Sequence, residues 1–368
     1  QQPATDVKLN ITSSDTNIAI VDQNVLIFQN DNTGGKIWST NQTVTVRGVP
    51  NNLATGDKTV TITVSVDDAN SADTYDNVAD KTVSATITDD DDQGITIVGT
   101  PSVTEAGGTD SFTVKLNGQP VSQVGLSVTS SDTGEVTVDL NYLFFTPDNW
   151  NTAQTVTVTG VNDDLDDGDI QPTITIEYSS GDSNFSGVSS TVTVTNTDDD
   201  TSGFTLSEST VTVTEAQTSG TFTVVLNAEP TDNVAFVVAA ADATEVAVSP
   251  AALTFTPSDW NTPKIVTVTG VVDNIVDTNI NSNVTVTIDN NASNTLDTTY
   301  INLSSPNNQK TVAVINTNTD VAGFTLSKTA SEISEAGGTD TFTIVLNAKP
   351  INVGGVQIDV VSGNTGEV

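Results

Sequence analysis

The side chains in this chain that could do chemistry are nearly all carboxylates, and they come in short runs at turn-like positions. "VNDDLDDGD" occupies 161–169 and "VVDNIVD" 271–277, while "TDDDDQG" spans 88–94 and "NTDDDTSG" 196–203. Carboxylates crowded together repel one another at neutral pH, and some of their pKa values rise unless a cation neutralises them. The cation suited to such a set is Ca2+, which takes about six to eight oxygen ligands from carboxylates, carbonyls and water. The alternative is a series of solvated acidic turns that hold no ion. A melting temperature indifferent to both added Ca2+ and chelator would favour that alternative.

Other chemistry fits less well. With no Cys and no His, disulfides, zinc sites and any Ser-His-Asp or Cys-His mechanism are excluded. "SSDTGEV" (130–136) contains the Asp-Thr-Gly of aspartic proteases, where two carboxylates share a proton. The related stretches "SSDTNIA" (13–19), "AADATEV" (240–246) and "SGNTGEV" (362–368) replace its Gly or its Asp, as a β-turn tolerates. The motif therefore reads as a turn. Paired carboxylates leave a glycosidase open by residue type, but aromatics make up only 5% of the chain and no large insertion could build a cleft. The expectation is a protein that is not an enzyme.

Lys and Arg total 10 against 47 Asp and Glu, a formal net charge of −37. Such a balance argues against nucleic acid or an anionic membrane surface as partner, since both need a basic patch. It suits a protein that stays soluble in salt and gathers cations. No stretch approaches the roughly 20 apolar residues of a membrane span. The chain has no Met, so Gln1 is read as the start of a processed chain or of a piece of a longer one.

The elements that position the acids repeat. Trp38, Trp150 and Trp260 lie 112 and 110 residues apart, and Gly48, Gly160 and Gly270 each follow their Trp by ten. "GITIVGTPSVTEAGGTDSFTVKLN" (94–117) returns at 203–227 and again at 323–347. The expected organisation is a partial module over 1–93 without its opening strands, complete modules over 94–202 and 203–322, and the opening strands of a further module over 323–368. "FTPDNWNTAQTVTVTG" (145–160) and "FTPSDWNTPKIVTVTG" (255–270) alternate apolar and hydroxyl residues with a period of two, as half-buried strands do. Val156 and Val158 are expected inward, with Thr155, Thr157 and Thr159 outward. No window predicts an amphipathic helix. About seven strands per repeat, broken by Gly, Asn and Asp turns, predict an all-β chain of tandem antiparallel sandwiches. Each Trp is expected to anchor its sandwich; a sugar-stacking platform is the alternative.

With "PSVTEAGGTDSFTVKL" (101–116), "LFFTPDNWNTAQTVTVTGVNDDLDDGD" (143–169) and "TVTVTNTDDD" (191–200) in order, the chain resembles the Calx-beta family. These are immunoglobulin-like sandwiches of sodium–calcium exchangers, integrin β4 and large microbial surface proteins. The family's Asp-Tyr element before the central Phe strand is missing, and the Trp-Asn-Thr insert is a variant. The resemblance implies that an early Glu, the mid-module Asp turn and the closing Asp run cluster at one sandwich end around Ca2+. In the 94–202 module these are Glu105, Asp163, Asp164, Asp167, Asp198, Asp199 and Asp200. The run Asp89, Asp90, Asp91 and Asp92 belongs to the first module, which has Asn51 and Asn52 at its turn. In the third module Glu215, Asp273, Asp277 and Asp320 remain, with Asn274, Val276 and Asn318 in place of acids. Fewer carboxylates bind more weakly, so the 94–202 module is expected to hold the strongest site.

The functional expectation is an extracellular or cell-surface structural protein, an elongated rod of modules in a filament, surface layer or adhesin stalk, stiffened by Ca2+. Its partners are expected to be further modules of the same kind. These either continue the chain or are met by self-association, in which residues 323–347 of one copy complete the first module of another by strand addition. The alternative is an adhesin that grips a glycan or protein through loops at a sandwich end, for which the insertion "QNDNTGGKI" (29–37) is the candidate.

Overall fold

The computed structural model describes residues 2–31, 37–351, 354–363 and 366. Strands dominate because the period-two pattern holds: in strand Gln154–Gly160, Val156 and Val158 are fully buried and Thr155 faces solvent. Thr157 and Thr159 are half-exposed on the same outer face. β-branched side chains suit a pleated surface, and burying each such Val stabilises by roughly 1.5–3 kcal/mol.

The chain divides into two compact units, Gln1–Asn162 with Asp169–Thr197, and Asp163–Gly168 with Asp198–Val368. This division does not follow the repeats, because the turn 163–168 and the acidic run from Asp198 both go with the second unit. In the first unit, strands Tyr142–Phe145, Val124–Ser130, Thr173–Gly181 and Ser189–Thr193 form one sheet. Strands Val136–Val138, Gln154–Gly160, Thr109–Leu116 and Ile95–Val98 form the other. Phe112, Val114, Leu126, Phe145 and Ile174 close the core between them. Residues 7–87 of the same unit form a four-stranded sheet, in which Lys81–Ile87 is an outer strand, and a two-stranded pair, Ala19–Val21 with Val46–Gly48.

The second unit repeats the sandwich. Its sheets run Phe204–Leu206, Ser219–Leu226, Lys264–Gly270, Val246–Ser249, and Thr210–Thr214, Gln309–Thr317, Ile280–Ile288, Val234–Ala240, Ala252–Phe255. Phe204, Phe222, Phe236 and Phe255 fill the core. Strands Phe324–Leu326 and Ile344–Leu346 pair antiparallel with each other. Among the described residues the one α-helix is short, Thr298–Ile301. Buried Asp297 caps it by accepting the N–H groups of Thr299 and Tyr300, both at 2.8 Å.

The glycine ten residues after Trp150, and that ten after Trp260, has a physical cause. A Cβ on Gly160 would lie 2.2 Å from the carbonyl oxygen of Thr104, and one on Gly270 would lie 2.2 Å from that of Thr214. The opening segments of these two repeats cross there, backbone against backbone, and only glycine admits it.

Candidate metal centre

In the third repeat each candidate ligand is placed by backbone pairing. Strand Thr210–Thr214 runs parallel to Gln309–Thr317 in a register that sets Thr214 opposite Thr317. Glu215, the next residue, donates its N–H to the Thr317 carbonyl at 3.2 Å, and its Oε2 accepts the Thr319 N–H at 3.1 Å. Its other oxygen, Oε1, is enclosed and has no hydrogen-bond donor among the described residues. Asp273 follows strand Lys264–Gly270, and the Ile275 N–H at 2.7 Å fixes its Oδ1. Asp320 is set by its N–H to Asn318 Oδ1 at 2.7 Å. Glu215, Asp273 and Asp320 each bring a carboxylate oxygen to within 4.8 Å of the other two.

A second triad overlaps the first. Glu245, Asp273 and Asp277 also bring oxygens to within 4.8 Å of one another. Glu245 was missed in sequence because it lies beside the Asp-Ala-Thr turn. Its Oε2 accepts from the side-chain amide of Asn316 at 3.1 Å, 71 residues away. Asp277 Oδ1 is enclosed without a donor, like Glu215 Oε1. The only signal available in sequence was the Glu-Val that recurs at 135–136 and 245–246.

The remaining predicted acids sort into two kinds. Some hold turns: Asp163 Oδ1 accepts the Leu165 N–H at 2.8 Å, and Asp198 Oδ2 accepts that of Gly168 at 2.7 Å. Asp89 Oδ2 takes the N–H groups of Thr55 and Gly56, at 2.9 and 2.6 Å. Asp92 Oδ2 accepts from Asn117 Nδ2 at 2.6 Å. Others crowd together. Asp89, Asp90 and Asp91 bring oxygens within 4.8 Å of one another, and burial first, then Asp89 and Asp90, raise the Asp91 pKa. Burial, followed by Asp164, Asp199, Asp198 and Asp163, does the same to Asp200. Asp167 is exposed.

Glu105 is fully buried and donates its N–H to the Thr197 carbonyl at 3.1 Å. It belongs to the first compact unit, whereas Asp163, Asp164, Asp167, Asp198, Asp199 and Asp200 belong to the second. The expected set of the third repeat, Glu215, Asp273, Asp277 and Asp320, lies within one unit. In the third repeat burial pushes the Glu215 pKa up, its bond from Thr319 opposes this, and Asp273, Asp277 and Asp320 add to the rise. Carboxylate oxygens gathered in this way match a hard divalent cation such as Ca2+ in ligand type.

The Asp-Thr-Gly motif is a turn. Asp132 Oδ1 accepts the Gly134 N–H at 2.9 Å, as Asp15 accepts from Asn17 at 2.9 Å and Asp242 from Thr244 at 2.9 Å. Trp150 and Trp260 pack against the edges of their cores, and their carbonyls accept the N–H groups of Leu116 and Leu226. Trp38 is exposed. Of the insertion 29–37, residues 32–36 lie outside the described residues, as do 364, 365, 367 and 368 of the last turn motif. Among the described residues no helix is long and apolar enough to cross a membrane.

No protein-family model matches the chain, and no curated protein matches it. Among solved structures, the calcium-binding domain CBD12 of CALX1.1 is 14% identical with a TM-score of 0.26, covering 50% of this chain and 76% of that one. Domains 4 and 5 of the S-layer protein SbsC are 18% identical with a TM-score of 0.23, covering 51% and 76%. Extracellular cadherin domains 1–4 of protocadherin gamma B7 are 12% identical with a TM-score of 0.31, covering 94% and 76%. These are all-β repeat proteins, and at such scores they carry no argument about function.

Proposed function

We propose that this chain is a structural repeat protein of the extracellular or cell-surface kind, with no catalytic role, and that it binds Ca2+ at the third repeat through Glu215, Asp273 and Asp320, with Glu245 and Asp277 completing the corner. The observation that carries this reading is Glu215, only 2% exposed, whose Oε1 has no donor among the described residues and whose carboxylate brings an oxygen to within 4.8 Å of those of Asp273 and Asp320. A buried charge left in that state is costly unless it is paired or coordinates a metal. Bound Ca2+ would supply the missing positive charge and tie together the opening segment, the central turn and the closing run of one sandwich.

The partners suited to such a chain are further repeats of the same kind, in continuation or in a neighbouring copy. Support comes from a contact made three times. The N–H groups of Gln119, Glu229 and Lys349 donate to the carbonyls of Asn52, Asp164 and Asn274 at 2.7, 2.6 and 2.7 Å. Each acceptor lies in the mid-module turn of one repeat, and each donor follows the opening segment of the next.

Calorimetric titration of the chelator-treated chain with Ca2+ tests the proposal, with Glu215→Gln as the comparison. The wild type is expected to bind at about 10⁻⁴ to 10⁻³ M, the range of extracellular modules, and the variant to lose one site. Identical isotherms for the two chains would refute it.

A further inference from the structure

The second repeat carries two aromatic side chains that its core does not use. Strand Tyr142–Phe145 buries Leu143 and Phe145 and turns Tyr142 and Phe144 outward, 55% and 48% exposed. Their rings lie within 19° of parallel, with centroids 6.3 Å apart. Gly125, the cross-strand partner of Phe144, makes room for them. A Cβ on Gly125 would stand 3.2 Å from Phe144 Cε1 and 2.6 Å from Ser180 Oγ, so the Phe144 ring leans over the glycine. The fold itself does not require the aromatic pair. The same positions hold Ala252 and Thr254 in the third repeat and Val25 and Ile27 in the first.

The face beside the rings is polar. Residues opposite one another in a sheet share a face, and here Tyr142 stands opposite Ser127, Ser127 opposite Glu177, and Glu177 opposite Ser189. Glu177 and Ser189 are exposed. Ser189 also lines a cavity of about 400 Å³ with Asp92, Gln93, Asn184, Ser186 and Ser190. From Tyr142 to Ser189 is three strand spacings, about 14 Å. We infer that this face binds a neutral oligosaccharide, with sugar rings laid on Tyr142 and Phe144 and the far end of the sugar in the cavity. The C–H face of a pyranose packs on the electron-rich face of an aromatic ring. Its hydroxyls, each donor and acceptor, pair with serine hydroxyls, side-chain amides and the Glu177 carboxylate. A track of this length suits several linked rings rather than one. The formal net charge of −37 repels an acidic polysaccharide, and a row with Glu177 as its single carboxylate offers a basic peptide little to hold.

Titration of the full chain with disaccharides and hexasaccharides of β-glucan, mannan, xylan and chitin, followed by saturation-transfer NMR, tests the inference. At least one hexasaccharide is expected to bind, about tenfold or more tighter than its disaccharide, because the longer sugar engages rings and cavity together. Tyr142→Ala combined with Phe144→Thr installs the residues of the third repeat and weakens binding by about tenfold or more, as truncating aromatic anchors does. Should that double variant melt early, Tyr142→Ala alone, which leaves Phe144 over Gly125, gives the same reading. Glu177→Gln weakens binding by about threefold or more. Failure of every sugar to bind, or binding unchanged in the aromatic variants, overturns the inference. Equal affinity for short and long sugars overturns the part given to the cavity. Sedimentation velocity covers the other occupant: self-association that Tyr142→Ala abolishes, without sugar binding, makes the face a contact between copies and overturns the inference too.

Discussion

The side-chain amide of Asn316 donates to Oε2 of Glu245 at 3.1 Å, and Asn196 makes the same bond to Glu135 at 3.0 Å. In both repeats the amide also reaches the carbonyl of its Glu, at 3.1 Å. In the first repeat the two positions are Ile18 and Ile87, so the polar pair is exchanged whole for an apolar one. The amide aims Glu245 while its carboxylate shares a corner with Asp273 and Asp277. Asn316→Leu is therefore expected to weaken Ca2+ binding by about 10- to 100-fold, as loss of an outer-shell partner does. Calorimetric titration measures this against the Glu215→Gln chain.

The pH dependence has a definite sign. Burial and three neighbouring carboxylates raise the Glu215 pKa in the folded, metal-free chain. A raised carboxylate favours folding at low pH, and that contribution is lost as pH rises through its folded value. In chelator, the stability of wild type relative to Glu215→Gln should fall as pH rises above the ordinary carboxylate range. Saturating Ca2+ should reverse that trend. Melting curves of both chains across acid and neutral pH check it.

Not every buried acid answers to a cation. Asp297 is buried and accepts from Thr231, Thr299 and Tyr300, and Asp182 accepts from Val121 and Asn184 in the same role. Asp297→Ala strands these donors and should cost about 1–3 kcal/mol in a denaturant titration. Ca2+ affinity should be unchanged, which separates these acids from Glu215.

Gly160→Ala and Gly270→Ala place a Cβ against a carbonyl at 2.2 Å. Each is expected to destabilise by about 1–3 kcal/mol. Gly48→Ala should change the melting temperature of the isolated chain little. Parallel thermal melts of the three variants give the contrast.

Asp132→Asn should leave stability within about 0.5 kcal/mol of wild type. The Gly134 N–H needs only an oxygen acceptor at Oδ1, and Asn supplies one. A melt of the variant checks this.

The regions of the fold written in period two were legible, because Val156, Val158, Phe145 and Phe255 are buried by rules that act within a few residues. The acids were legible as a group and not one by one. A run such as Asp198–Asp200 does not reveal that Asp198 accepts the N–H of Gly168, 30 residues away. Glu135 and Glu245 were hidden for the opposite reason. Their orientation depends on an amide 61 or 71 residues distant, and nothing local marks them.

The turn that fixes Asp273 through the Ile275 N–H also exposes the Asn274 carbonyl to Lys349. Two adjacent residues therefore serve different masters: one carboxylate looks back into its own sandwich, and one carbonyl looks forward to the next. A pull on the chain would reach the carboxylate corner through a single peptide unit. Under the proposed Ca2+ binding, the force needed to separate a repeat from its successor would be a readout of cation occupancy, and tension would weaken that binding.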